Sequence, residues 1–165
     1  MNAPSTAVRN PPQRSVSRAI LAGGLIAGTI DIFAASLISH FNPMVITRFI
    51  AGGLLGKAAL DGGLQASLLG LVLQWAMGLL IAAIFVLAAT RMRWMLQRPV
   101  VAGLLYGVVV YFVMNYVVVP LSAWHHWPQF KPLSFAENML AMLLFGLIVS
   151  LCARRWLAGA VRNGP

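Results

Sequence analysis

The chain has 165 residues, of which 60% are hydrophobic and only 9% are charged, and its 12 Lys and Arg outnumber its 3 Asp and Glu. Soluble domains carry roughly 25% charged residues, so this chain has too little charge to cover a water-facing surface. Its mean hydropathy of +0.84 indicates a lipid solvent instead. The composition excludes a disordered chain, and a single cysteine, Cys152, excludes an internal disulfide framework.

Four stretches of the sequence are long and apolar enough to cross a membrane. A helix needs about 20 mostly apolar residues to span a hydrocarbon core about 30 Å thick. The four stretches lie at about 19–40, 64–90, 99–120 and 134–153, and none alternates apolar and polar residues as a membrane strand does. We therefore predict an all-α integral membrane bundle of four transmembrane helices.

The residues around these spans divide the chain into a membrane domain and two tails. Residues 1–17 are rich in Pro, Asn, Ser and Thr, a composition typical of a mobile tail. Residues 18–155 contain the four spans, and residues 156–165 are predicted to form a second short tail.

The basic residues predict the orientation of the spans, because Lys and Arg are enriched in short cytoplasmic loops. One side of the membrane would hold nine of them: Arg9, Arg14, Arg18, Arg91, Arg93, Arg98, Arg154, Arg155 and Arg162. The other side would hold three: Arg48, Lys57 and Lys131. Both tails are therefore predicted to be cytoplasmic. Contact with anionic headgroups accounts for the net charge of +9, so we expect no nucleic-acid partner.

A fifth apolar segment, residues 43–60, lies between the first two spans. As a fifth crossing it would carry Arg48 and Lys57 into hydrocarbon, at a large cost in free energy. Asn42 is a typical helix N-cap, and the Gly-Gly pair after the segment is typical of a helix end. We predict a short extra helix on the outer side of the membrane. The two basic residues lie on opposite sides of that helix, so an interfacial and a re-entrant, protein-covered position both remain open.

Small residues recur at a spacing of four in every predicted element. Such rows permit close approach of membrane helices, which gain no hydrophobic drive from lipid. The rows are Gly24 with Gly28, Gly52 with Gly56, Gly70 with Gly78 and Ala82, Gly103 with Gly107, and Gly146 with Ser150. Together they predict a compact packed bundle.

Asp31 is the one ionisable residue that the spans place near a bilayer midplane. Small residues such as Gly24 share its helical face and large apolar residues occupy the opposite face, so the carboxyl is predicted to point into the bundle. At similar depth the next two spans carry Gln74 and Tyr111, with Asn115 one turn nearer the outer face. These four residues form a candidate intramembrane polar site.

Two interpretations of this polar site remain open. Intramembrane carboxylates often line proton or cation paths, which favours a transport function for Asp31. Alternatively, Asp31 is a buried carboxyl that joins helices through a hydrogen bond to Gln74 or Tyr111. Transporters usually pair such a carboxylate with further titratable groups, and the sequence places none at this depth. The structural interpretation is therefore the stronger of the two.

Three histidines, His40, His125 and His126, are predicted to lie at the outer interface. They are weak candidates for a metal or haem site, because their spacing matches no ligand motif. His125 and His126 stand between Trp124 and Trp127, a composition typical of an interfacial aromatic belt. We predict no bound metal and no cofactor.

Three stretches of the chain share a likeness with known sequences: GTIDIFAAS (28–36), AGGLLGKAALDGG (51–63) and RPVVAGLLYGVVVYFVMNYVVVPLSA (98–123). Over roughly residues 18–155 the chain resembles a family of small bacterial inner-membrane proteins of unknown function. The resemblance implies a four-span protein of the bacterial inner membrane. It implies no activity, cofactor or catalytic residue.

Together these observations predict a non-enzymatic inner-membrane protein, either an accessory or interaction component or a homo-oligomer. The lipid bilayer and a second copy or another membrane protein are its expected partners. A small proton- or cation-coupled transporter or channel that uses Asp31 is the first alternative. A haem- or metal-binding membrane protein that uses the outer histidines is the second.

Overall fold

The computed structural model describes residues 13–125 and 132–162, and these residues form an all-α bundle. The helices in chain order are α1 (Gln13–Ser39), α2 (Pro43–Leu55), α3 (Ala58–Asp61), α4 (Gly63–Arg91), α5 (Arg93–Gln97), α6 (Pro99–Val113), a π-helical turn (Met114–Val118), α7 (Val119–Leu121) and α8 (Pro132–Arg162). Four segments are long and apolar enough to cross a membrane, namely Ser15–Ser39, Gly63–Arg91, Pro99–Leu121 and Pro132–Ala158. The predicted fold class is confirmed, and each predicted span overlaps one of these four segments.

The long helices pack in an order that differs from their order in the chain. Helix α1 lies between α4 and α8, α6 packs on the far side of α8, and α2 packs on α4. Side chains connect α4 to α6, because the Tyr106 hydroxyl donates to the Ile81 carbonyl (2.7 Å) and the Tyr106 ring meets Phe85 edge-on, with 5.0 Å between ring centroids.

The largest fully buried side chains among the described residues lie in one half of the bundle. We call the end of the bundle that holds Arg18, Arg98 and Arg155 the arginine end, and the opposite end, with His40 and His125, the histidine end. The largest fully buried side chains lie in the half next to the arginine end: Phe85, Val86, Val149, Ser150 and Leu157. The core of the bundle therefore sits off-centre, towards the arginine end.

Helices α1 and α8 both extend beyond their predicted limits at the arginine end. Helix α1 begins at Gln13, inside the predicted tail 1–17, and α8 continues to Arg162, through the predicted tail 156–165. The Arg18 guanidinium lies 5.7 Å from the centroid of the Trp156 ring, and Leu157 is fully buried. Packing between the two helices accounts for helical turns within both predicted tails, at residues 13–17 and 156–162, and the tail assignments stay predictions. Residues 1–12 and 163–165 lie outside the described residues.

The segment 43–60 is two helices rather than the single helix predicted. The Asn42 side chain accepts a hydrogen bond from the Met44 amide (3.0 Å), which confirms the predicted N-cap. The first helix, α2, ends at Leu55, where Gly56 adopts φ +66°, a backbone conformation that favours glycine. Gly56 is thus a helix terminator and not the packing residue that its spacing from Gly52 predicted.

The third span ends close to Pro120, as predicted, but it contains an irregular turn. A π-helical turn at Met114–Val118 precedes the proline, and the helix then continues to Leu121. Proline has no N–H and its ring crowds the carbonyl four residues earlier. The wider turn accommodates that defect without ending the span.

Most of the predicted small-residue rows meet other helices. A Cβ atom built on Gly103 would lie 2.8 Å from the Gly146 carbonyl oxygen, and one built on Gly107 would lie 2.8 Å from Leu143 Cα, so α6 and α8 touch along their glycine faces. Gly70 of α4 lies directly against the Thr47 carbonyl of α2. The compact packing predicted from these rows is confirmed.

Candidate functional site

Asp31 and Gln74 meet between α1 and α4. Gln74 Nε2 donates to Asp31 Oδ2 at 2.8 Å and lies 3.3 Å from the Gly28 carbonyl oxygen of the same helix as Asp31. A polar contact of this kind replaces the water that both groups lose inside the bundle. One of the two contacts predicted as alternatives for Asp31 is therefore present.

Close approach of the two helix backbones places these side chains within reach of each other. A Cβ atom on Gly24 would lie 2.8 Å from Leu79 Cα, and one on Gly78 would lie 2.7 Å from the Gly24 carbonyl oxygen. Only glycine fits at such distances. Asp31 lies two turns beyond Gly24 on α1, and Gln74 lies one turn before Gly78 on the antiparallel α4, so the crossing point sets their separation.

A small cavity lies beside the Asp31–Gln74 pair. Its volume is about 20 Å³, and a site of roughly 10–15 Å³ is enough for one water molecule. Helices α1, α4 and α8 and the π-helical turn all contribute to its lining: Asp31, Gln74, Met77, Gly78, Ile81, Met114, Met142 and Phe145. The cavity lies where the off-centre core ends.

Tyr111 and Asn115 do not join this site. Tyr111 is buried, with 6% of its surface exposed, and its ring packs edge-on against Phe112 and Phe135, with centroid distances of 5.6 and 5.3 Å. Asn115 Nδ2 donates to the Tyr111 carbonyl oxygen one turn earlier (2.9 Å), where the π-helical turn begins. Among the described residues, the predicted four-residue polar site is thus an Asp31–Gln74 pair, and Asn115 serves the irregular turn.

The described outer histidines do not form a metal centre with other side chains. His40 and His125 both have positive φ, +58° and +46°, at the ends of α1 and of the described segment before residue 126. Within residues 13–125 and 132–162, no group of three or more His, Cys, Asp or Glu side chains could hold a metal ion. His126 lies outside the described residues.

Protein contacts surround α2 on two sides. Arg48 Nε donates to Ser67 Oγ of α4 (3.2 Å), and that hydroxyl lies 3.1 Å from the Met44 carbonyl oxygen. On the other side the Trp124 indole lies directly against Gly52, and its Nε1 donates to the Phe49 carbonyl oxygen (3.0 Å). These contacts support the protein-covered interpretation of this segment. They also show why Arg48 is tolerated there.

Sequence reasoning missed Met77, Met114 and Met142 at the cavity. The sequence does place each of these residues inside a predicted span, as it does Asp31. Methionine reads as ordinary core filling in such a segment, so only their convergence in space distinguishes them.

Comparison with known proteins adds no assignment: no family model, no curated protein and no solved structure matches this chain.

Proposed function

We propose that this chain is a non-enzymatic, multi-pass protein of the bacterial inner membrane that acts as an accessory or homo-oligomeric component of a membrane assembly. The observation that carries the proposal is the hydrogen bond between Gln74 and Asp31. It uses the central carboxyl to join α1 to α4. A carboxyl held in this way is part of the framework of the bundle.

The size of the interior supports the same conclusion. The cavity at the Asp31–Gln74 pair has a volume of about 20 Å³, whereas pockets for small organic ligands span about 300–1,000 Å³. The larger space, about 280 Å³, lies between α1, α2 and α4 and has an apolar lining that includes Phe33 and Leu68. Neither space combines the room and the polar groups that an organic substrate needs.

The distribution of basic residues supports the proposed location and orientation. Nine of the 12 Lys and Arg belong to the side that holds both chain termini, as expected if that side is cytoplasmic. The likeness to small bacterial inner-membrane proteins agrees with this placement.

The glycine rows limit how a partner can bind. Those of α1, α4, α6 and α8 already meet other helices of the same chain. A second copy or a partner protein would instead contact the large exposed side chains of α6, such as Leu105, Val109 and Phe112.

A proton- or cation-coupled transporter is the second candidate, and the cavity beside Asp31 favours it. One experiment separates the two candidates. Wild type, Asp31→Asn and Gln74→Leu are reconstituted in liposomes that contain a pH-sensitive dye, and an electrical potential is imposed. The accessory function predicts no flux in any of the three. A flux that wild type shows and Asp31→Asn lacks would overturn it and establish the transporter.

The homo-oligomeric form of the proposal has its own measurement. Native mass spectrometry of the protein in lipid nanodiscs should give masses that are multiples of 17.8 kDa. A species of 17.8 kDa alone, over the full concentration range, would restrict the proposal to assembly with a different membrane protein.

A further inference from the structure

Three methionine residues from three separate elements line the cavity beside Asp31. Met77 belongs to α4, Met114 begins the π-helical turn and Met142 belongs to α8. Their thioethers are soft, polarisable sulfur groups on long unbranched side chains. With Asp31 and Gln74 they line a space of about 20 Å³, so three thioether residues and one carboxyl share this cavity.

We propose that this cavity binds a single soft monovalent metal ion, Cu(I), with the thioethers of Met77, Met114 and Met142 as ligands and the Asp31 carboxylate as counter-charge. Thioether and thiolate ligands select Cu(I), whereas hard cations such as Mg²⁺ and Ca²⁺ take oxygen ligands. This site extends beyond the accessory function and does not depend on it.

Charge balance favours a monovalent ion. An isolated charge inside a membrane protein is costly, and charges there are paired. Cu(I) beside an ionised Asp31 gives a neutral pair, whereas a divalent ion would leave one uncompensated positive charge. Gln74, which donates to Asp31 Oδ2 at 2.8 Å, holds the carboxylate in place.

Cavity size excludes a hydrated ion. A volume of about 20 Å³ has room for about one water molecule, so an ion must enter without its water shell. Sodium and potassium would exchange that shell for a lining in which three thioethers accompany the oxygens of Asp31 and Gln74, and sulfur binds these hard cations poorly. Cu(I) gains strong bonds from the same exchange.

Met114 lies where the regular helix of the third span is interrupted. It is the first residue of the π-helical turn, and such turns are frequent at functional sites because they interrupt the regular helical hydrogen bonds. The next residue of the same turn, Asn115, donates from its side chain to the Tyr111 carbonyl oxygen. The π-helical turn is thus the irregular part of the third span, and it begins at the residue that lines the cavity.

Substitution by leucine separates metal binding from packing. Leucine conserves the volume of methionine, so a gap-filling role survives Met→Leu, whereas a ligand role does not. The test uses the full-length protein in detergent under reducing conditions, with Cu(I) supplied from its coloured bicinchoninate complex and silver(I) as a redox-inert substitute. We expect one ion per chain. We expect the affinity to fall by about tenfold or more in each of Met77→Leu, Met114→Leu and Met142→Leu.

Matched variants make the result specific. Met139→Leu alters the same helix one turn from Met142 but not the cavity lining, and we expect it to bind as wild type does. Asp31→Asn removes the counter-charge and should weaken binding by about tenfold. X-ray absorption of the copper-loaded protein should show a sulfur shell.

Four outcomes would overturn the proposal, provided that melting temperatures show the variants to be folded. Two are that wild type binds no Cu(I) at one equivalent, and that the triple Met→Leu variant keeps the wild-type affinity for Cu(I). The other two are that Met139→Leu loses as much affinity as the cavity variants, and that His40→Ala no longer binds Cu(I). The last result would place the ion at the histidine end instead. A shell of nitrogen and oxygen alone would also exclude the thioether site.

Discussion

At the scale of single residues, glycine at the α1–α4 crossing controls the geometry of the polar pair. Gly24 and Gly78 let the two backbones touch, and that contact brings Gln74 to Asp31. The pattern of small residues predicted the approach. It could not predict which helix would be the partner, because five elements carry such rows. For the same reason, the sequence left Gln74 and Tyr111 as alternative hydrogen-bond partners of Asp31.

Alanine substitution of Gly24 and of Gly28 should show which of the two glycines lies at the crossing point of α1 and α4. In Gly24→Ala the new Cβ would lie 2.8 Å from Leu79 Cα, which is backbone and cannot move aside, so we expect a loss of about 1–3 kcal/mol in the free energy of unfolding. Gly28→Ala is the matched control. Its Cβ would have ordinary contacts, the nearest being 3.7 Å from the Gln74 carbonyl oxygen, and alanine gains up to about 1 kcal/mol in helix propensity. Unfolding in SDS or steric trapping measures the free energy of unfolding of both variants. An equal loss in the two would show that α1 does not cross α4 at Gly24.

The Asp31–Gln74 bond should appear as an energetic coupling. Gln74→Leu leaves the carboxyl without its donor, whereas the double variant Asp31→Leu/Gln74→Leu leaves neither group unpaired. We expect the double variant to be more stable than Gln74→Leu alone. A double-mutant cycle should give a coupling of about 0.6 kcal/mol and not above about 1.7 kcal/mol, the range known for interhelix hydrogen bonds in membranes. Strictly additive effects would show that the two side chains act independently.

At the scale of elements, the spans followed from hydropathy but the irregular segments did not. The predicted second span, 64–90, lies within α4 (Gly63–Arg91) almost residue for residue. The break at Gly56 and the π-helical turn before Pro120 were missed. Length and apolar content determine where a helix can cross lipid, whereas each irregularity depends on one backbone conformation and on what packs beside it.

Helix α2 depends on a side chain far away in the sequence. Trp124 lies against Gly52, donates to the Phe49 carbonyl, and its ring centroid is 5.9 Å from that of Phe49. We expect Trp124→Ala to reduce the free energy of unfolding by about 2 kcal/mol and to speed hydrogen exchange at the α2 amides. Trp94→Ala, at an exposed tryptophan of the arginine end, should leave exchange in α2 unchanged. Equal protection of α2 in the two variants would mean that α4 alone holds it.

At the scale of the whole molecule, the core and the polar site occupy different depths. Large side chains fill the half near the arginine end, and the cavity with Asp31 begins where they stop. We therefore expect local rearrangement to be easier beside the cavity than among the fully buried side chains. Sequence reasoning predicted the depth of Asp31 but not this asymmetry, since the asymmetry arises from side chains of several helices that meet only in the fold.

The orientation of the bundle follows from its charges and has a direct test. In a Cys152→Ala background, Lys57→Cys and Arg98→Cys place single thiols at exposed positions on opposite ends of the bundle. If the arginine end faces the cytoplasm, as the excess of basic residues predicts, a membrane-impermeant maleimide added to intact spheroplasts should label Lys57→Cys at once. Arg98→Cys should react only after the membrane is permeabilised. The reverse pattern would invert the bundle and place both chain termini outside, and it would show that the charges of residues 1–17 do not direct insertion.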